Sequence, residues 1–292
     1  VTGKRDKNTQ VYSVDDLDDY GAFLDQVAKG AESQGIPADT ALAEYAPGQF
    51  EINLKYEPNP LSACDNAVLL KRLIKGVARE MGMIATFMAK PYAQQAGSGT
   101  HIHISLLNKN KENIFSDPQN ETGSKNLLHA IGGLSKTMKE SMAIFCPNAN
   151  SYRRFQPDLY VPMAPTWGID NRTVAIRIPT GPEKAKRIEH RVSGADANPY
   201  LVVASILAGI HYGITHKIEP PKISTGDAIA KNKPSLPMTW VESLDAFLKS
   251  KIIKEYFGKE FCHVYYQTKY KEMQIFDSQV TPLELDWYLR TV

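Results

Sequence analysis

Between Thr173 and Val192 the chain reads TVAIRIP, TGPEKA, KRIEHRV. Two runs alternate apolar and polar residues with a period of two. Such a run forms a strand with one buried face, and a short link carrying Gly and Pro turns one run back on the other. No other segment restricts the fold as much. Thr173, Ala175 and Arg177 share one face, with Val174, Ile176 and Ile178 behind. On the second strand Arg187, Glu189 and Arg191 share a face, with Ile188, His190 and Val192 behind. The pair should back onto a core and present three arginines and one glutamate in front, with Arg172 at the entrance. A salt-bridged outer strand is the plain reading of such a face. Against it, arginine outnumbers acid, and guanidinium forks match phosphate and carboxylate geometry, so the cluster asks for an anion from elsewhere.

Two other stretches have the same grammar. In GSGTHIHISL, residues 97–106, strand alternation puts His101, His103 and Ser105 on one face and Ile102, Ile104 and Leu106 on the other. A half-exposed polar strand would explain this, but the glycines that lead into it let backbone approach a ligand closely. In AEYAPGQFEINL, Gln49, Glu51 and Asn53 share a face opposite Phe50, Ile52 and Leu54. Glu44 precedes Glu51 across Pro47-Gly48, a turn that can reset the register. Two surface acids is the commoner reading, whereas two converging carboxylates suit a hard cation. Together the residues suggest a divalent metal held by carboxylate and imidazole before an arginine-rich anion site, a combination that fits phosphoryl transfer.

The remaining elements follow from periodicity. Helices are expected from Ser13 to Gly35, with Ser13 and Asp16 capping, over LSACDNAVLLKRLIKGVAREMG, over Lys125 to Phe145, and from Pro199 behind an Asn198 cap. Pro147 to Gly168 reads as an ordered loop and Glu219 to Pro237 as a surface loop. Helices return over Leu244 to Tyr256, Glu260 to Gln274 and TPLELDWYL. Strands and helices intersperse without regular βαβ alternation or a Gly-rich fingerprint, so the class is α+β with an antiparallel or mixed sheet. The 292 residues carry 34 basic and 32 acidic side chains, well mixed, which argues against nucleic acid or anionic membrane as partners. No apolar run is long enough to span a bilayer and no signal peptide is visible. Three scattered cysteines fit neither a disulfide framework nor a zinc site and point to a reduced cytoplasm.

PGQFE, KPYAQQAGSGTHIHIS, NRTVAIRIP and RIEHR…ANPYL, in this order, resemble the active-site signatures of the glutamine synthetase family. The resemblance runs from about Tyr12 to the C-terminus. GKRDKNTQVYSVDDL, SYRRFQPDLYVP, SGADANPYLV and FCHVYYQTK further resemble the branch of that family that joins glutamate to putrescine. The resemblance implies an α+β catalytic domain over residues 1–292, a curved antiparallel or mixed sheet flanked by helices. It implies an ATP-dependent ligase that phosphorylates the side-chain carboxylate of glutamate and lets an amine displace the phosphate. By the same likeness Glu44 and Glu51 would hold one Mg²⁺ or Mn²⁺, and His101 and Glu189 a second. His103 and Ser105 would lie along ATP, with Arg177 and Arg187. Arg154 and Arg191 would grip glutamate, and Gly97 would face its amino group. Arg172, Arg177 and Arg187 would neutralise the phosphoryl group in transfer. A cytoplasmic ring of identical subunits, a dodecamer for the full-length protein, is implied too.

Two positions depart from the ammonia-using members. Tyr160 stands where they carry a glutamate that helps take a proton from ammonium, and Ala96 where they carry an asparagine. A neutral phenol cannot hold a small cation as a carboxylate does, so both changes favour a bulkier amine and suggest that the loop around Tyr160 lines its pocket. The base that would deprotonate the amine is unassigned. The chain begins without Met and without the family's N-terminal domain and acidic Glu-x-Glu strand, and reads as part of a longer protein. With two carried-over ligands per metal, weak metal binding and no turnover in isolation are expected. Alternatives are a glutamine synthetase proper, a ligase for another amine, a non-catalytic member of the fold, or a metal-free phosphate or polyamine binding module.

Overall fold

The computed structural model describes residues 11–156 and 160–292. The first eight residues of the GKRDKNTQVYSVDDL motif therefore lie outside the described residues. The chain enters through α1 (Val14–Asp19) and α2 (Gly21–Ser33), with the Asp16 amide donating to Ser13 Oγ at 3.2 Å. A single helix is expected here. It breaks at Tyr20, whose ring docks edge-on against Phe50 with centroids 5.0 Å apart. β1 (Ala38–Ala43) and β2 (Phe50–Leu54) form an antiparallel hairpin with Leu42 opposite Glu51. α3 (Pro60–Glu80) has Asn59 as its cap and proline in its first turn. It packs on α2 around Phe23, Val27, Ala31, Leu70 and Val77, a small core beneath the hairpin.

The larger core lies under the sheet. β3 (Ile102–Ile104) is followed by α4 (Lys125–Phe145) and a single turn, α5 (Ala149–Tyr152). Then come β4 (Trp167–Ile169), β5 (Ile176–Ile178), β6 (Ile188–His190) and α6 (Pro199–Thr215). The strand order is β3-β6-β5-β4, with β4–β5 parallel and the other two pairs antiparallel. The arginine-bearing strands are thus the two central ones, not an outer edge. Ile176, Ile178, Ile188 and Val192 are buried against α4 residues such as Met138 and Met142.

Three local expectations are corrected. Pro147 to Gly168 is not all loop, because Asn148 and Ser151 form a capping box for α5 and Trp167 opens β4. The first arginine strand is shorter than alternation suggests. Asn171 Oδ1 accepts from both the amide and the hydroxyl of Thr173, at 2.9 and 2.6 Å, so an Asx turn occupies the start of the run. Ala175, placed on the polar face by alternation, is fully buried. Beyond the short α7 (Ala228–Lys231), the expected Leu244–Tyr256 helix is two, α8 (Trp240–Lys249) and α9 (Lys251–Phe257). Ser250 breaks it: its hydroxyl donates to Glu140 Oε2 at 2.5 Å and accepts from the Ile253 amide at 3.0 Å, which caps α9. α10 (Lys259–Asp277) and α11 (Pro282–Tyr288) close the chain, the latter behind a Thr281–Glu284 capping box. No helix among the described residues is long and apolar enough to cross a membrane. All three cysteines are unpaired and buried, and burial pushes the Cys146 thiol up to about 12.

Candidate active site

The centre of the site is a row across three strands. His103 on β3 and Arg177 on β5 each stand directly opposite Glu189 on β6, so all three project to the same face. Glu189 is 2% exposed. Arg177 Nε touches Glu189 Oε2, Arg191 Nη1 lies 2.5 Å from Oε1, and His101 Nδ1 lies 3.3 Å from Oε1. Burial alone would raise the carboxyl's pKa, but Arg191, His101, Arg177 and His103 outweigh it and hold it below the usual carboxylate range. The ion pairs foreseen as a plain alternative are therefore real. They do not exhaust the cations: Arg172 and Arg187 belong to the same cluster, and among the described residues the only other acid on Arg177 is Asp170, at 3.6 Å.

The histidines are neutral bases. Desolvation first, and then Arg191, push His101 down to about 3 against the opposing pull of Glu189. His103 is lowered as well, chiefly by desolvation. Its Nδ1 accepts from Arg187 Nε at 3.0 Å, which leaves the ring proton on Nε2. Ser105 lies half-buried just past the end of β3.

The Gly-Ser-Gly approach has a packing role that sequence did not reveal. A side chain on Gly97 would meet the Ala89 carbonyl and the Arg154 stem, both at 2.7 Å. Arg154 lies beneath the loop, 3% exposed, with Nη2 donating to the Val192 carbonyl at 3.2 Å and Nη1 left without a hydrogen-bond partner among the described residues. Gln49 ties this loop to the hairpin. Its Nε2 donates to Gly97 O and Ser98 Oγ, each at 3.1 Å, while its Oε1 accepts from the Ala46 amide. Sequence placed Gln49 on the face of Glu51 without giving it a task.

The hairpin brings Glu44 and Glu51 together. The Glu44 amide donates to the Gln49 carbonyl at 2.7 Å, one step beyond the ladder that pairs Leu42 with Glu51. Burial and then the Glu51 charge raise the Glu44 pKa, with Arg172 and Arg191 pulling the other way. The pair thus faces the arginine cluster. Arg172 Nη1 donates to Tyr12 Oη at 2.7 Å, and its carbonyl accepts from Arg191 Nη2 at 3.3 Å. Tyr12 is a contact that no spacing argument could have found. Because the folded pKa of Glu44 is raised, its ionisation costs stability at neutral pH and costs nothing once pH falls below the ordinary carboxylate range. Glu44→Gln is therefore expected to melt higher than the parent at pH 7, with the advantage vanishing near pH 4. Thermal melts across that range, without divalent cation, check this.

Tyr160 is 62% exposed and has φ +52°, an uncommon conformation for a bulky residue. Its preceding loop residues, 157–159, lie outside the described residues. The donors stand as two pairs, Glu44 with Glu51 and His101 with Glu189. Among the described residues no three His, Cys, Asp or Glu side chains converge on one cation. The donor types suit Mg²⁺ or Mn²⁺, and each pair would supply two of the roughly six ligands such an ion takes.

Residues 1–288 match the family description "Glutamine synthetase, catalytic domain". The chain is 46% identical over 290 residues to "Gamma-glutamylputrescine synthetase PuuA" of Escherichia coli K12, covering 99% of this chain and 61% of that protein. It is 36% identical to "Glutamate–isopropylamine ligase" of a Pseudomonas species, covering 97% of this chain and 62% of the relative. It thus spans about three-fifths of the length of these curated relatives. Among solved structures, GmaS in complex with ADP superposes with TM-score 0.89 at 27% identity, covering 98% of this chain and 68% of that one. Sheet order, the Arg–Glu–His row and this match over nearly the whole length agree, and the chain belongs to the glutamine synthetase family, whose catalytic domain it carries.

Proposed function

We propose that this chain is one catalytic unit of an ATP-dependent ligase that joins the γ-carboxylate of glutamate to an amine, with putrescine the favoured amine. The observation that carries the reading is the 46% identity to a γ-glutamylputrescine synthetase across 99% of the chain, with the arginine row intact. The reaction moves the γ-phosphoryl group of ATP onto the glutamate carboxylate; ADP departs, the amine nitrogen attacks the carbonyl carbon, and phosphate leaves. Bound Mg²⁺ or Mn²⁺ would neutralise phosphate charge, with Glu44 and Glu51 holding one ion and His101 and Glu189 the other.

The chain's own groups do the remaining work. Arg177, Arg172 and Arg187 form a cationic floor for the oxygens of the group in transfer, where fixed charge needs no reorganisation. Glu189 holds Arg177 and Arg191 in place. His103 keeps Arg187 aimed along the strand, and with Ser105 it would line the nucleotide. Arg191 and the unpaired Nη1 of Arg154 would receive glutamate's carboxylates, near the Gly97 backbone. Tyr160, exposed at its loop, would border the amine and supplies no carboxylate to trap ammonium. A ring of copies is supported by the apolar end of the chain, where Leu283, Trp287 and Leu289 are 54, 56 and 71% exposed and need a cover. A cytoplasmic site of action accords with three unpaired cysteines.

Phosphate release by the full-length protein, with ammonium, methylamine and putrescine as competing amines, tests the reading. Putrescine should be used best and ammonium worst. Tyr160→Glu should shift the ratio towards ammonium by at least about tenfold, the worth of one charge-assisted hydrogen bond. Preference of the parent for ammonium would sink the proposal.

A further inference from the structure

A groove of about 610 Å³ runs along the outer face of α3, lined by Val68, Lys71, Arg72, Lys75, Gly76 and Arg79. It contains four cations and no acid, and none of the site residues described above lines it. Along the sequence these charges are diluted by apolar neighbours. Helical spacing gathers Lys71, Lys75 and Arg79 onto one stripe, with Arg72 beside it. Among the described residues Arg72, Lys75 and Arg79 have no ion-pair partner, and all three are exposed.

Two further observations point to a ligand. The Lys71 and Lys75 ammonium groups stand 5.3 and 5.6 Å from the centroid of the Phe87 ring. An aromatic face orients cations without neutralising them, so the stripe is held together with its charge unspent. Lys71 also donates to the Ala195 carbonyl at 2.6 Å, which anchors one end. Desolvation first, and the nearby Lys75 charge to a smaller degree, hold the Lys71 pKa below its usual value against the pull of Asp196. The second observation is Gly76. Glycine in a helix interior is unfavourable, yet a Cβ here would meet nothing within 4 Å. Packing does not require this glycine. What it does is keep the groove floor bare between the four cations.

We infer that the α3 groove is an anion site, separate from the active site, that binds a compact polyanion of the phosphate class, such as a di- or triphosphate. Four cations around an open floor suit several phosphate oxygens better than one planar carboxylate.

The test uses inorganic tripolyphosphate as the probe in calorimetric titration, with citrate as the carboxylate comparison. Because the active-site arginines could also take the probe, three proteins are compared: the parent, Arg187→Ala, and the groove variant Arg72→Ala/Lys75→Ala/Arg79→Ala. The parent and Arg187→Ala should share a tripolyphosphate site that the groove variant binds at least ~10-fold more weakly, with affinity falling as salt rises. Gly76→Leu should show the same loss without a lower melting temperature, since leucine is the better helix former. The inference is overturned if the parent does not bind, if binding is lost in Arg187→Ala and kept in the groove variant, or if citrate binds as tightly. It is also overturned if the groove variant changes only the oligomeric state. That result would assign the face to a second copy.

Discussion

Glu189→Ala is expected to destabilise the protein by about 3–5 kcal/mol and, in the full-length protein, to abolish turnover. The figure is the usual cost of removing one partner from a buried charge pair, because the opposite charge is left behind in a poorly solvated place. Here two guanidiniums are left: the Arg177 and Arg191 side chains are 16 and 9% exposed, and Glu189 is the shared counterion. Arg177 would keep only Asp170, at 3.6 Å, and Arg191 would have no ion-pair partner among the described residues. Chemical denaturation should show the loss as an earlier midpoint with little change in slope. Glu189→Gln keeps the shape and one acceptor, so it should fall between the parent and alanine. The acid limb gives a second readout. Neighbouring cations hold the Glu189 carboxyl down. Its contribution is therefore full above the ordinary carboxylate range and is lost as pH falls through the lower folded value. The Gln variant should lack that part of the acid dependence. Near-parent stability of Glu189→Ala would mean that water or the arginines themselves compensate, and the row would not be the structural centre argued here.

The second large effect lies far from the chemistry. Gly133→Ala is expected to cost about 3 kcal/mol. A Cβ on Gly133 of α4 would stand 2.1 Å from the Gly209 carbonyl and 2.5 Å from Gly213 of α6, and a Cβ on Gly213 would stand 2.1 Å from the His129 carbonyl. These are backbone atoms, which cannot rotate away as a flexible side chain can. The helices must separate, and the apolar contacts on either side of the crossing, Leu134, Met138, Ile206 and Ile210, separate with them. Added volume in a packed core costs about 1–3 kcal/mol, and a backbone obstacle puts this case at the upper end. Gly76→Ala is the matched control. It is also a mid-helix glycine, but with open space beyond it, and should gain up to about 1 kcal/mol from helix propensity. If both variants behave alike, glycine's own helix propensity rather than interhelical distance is being measured.

Much of this was legible in order along the chain. The Asn198 cap with Pro199 and the Thr281 capping box are local devices, and they stand where the residues put them, as does α4 over Lys125–Phe145. So does the front face of β6, because strand alternation is set by backbone geometry. What local pattern could not foresee were the breaks at Tyr20 and Ser250. Each is caused by a partner distant in sequence, the Phe50 ring in one case and the Glu140 carboxylate in the other. Ala175 was misplaced for a similar reason, since Asn171 spends the beginning of that strand on a turn.

Ala175 apart, the sequence by itself determined which side chains stand in front of the sheet and which stand behind. Apolar periodicity is read residue by residue, and the quoted motifs carry the resemblance to the family. Only the tertiary structure decided which front-facing groups meet. Strand order set Glu189 between His103 and Arg177. The hairpin turned Glu44 towards Glu51, Gln49 bound that hairpin to the glycine loop, and Tyr12 reached Arg172 across the fold. The physical reason is that alternation fixes direction within one element, whereas register and packing between elements depend on contacts far apart in the chain.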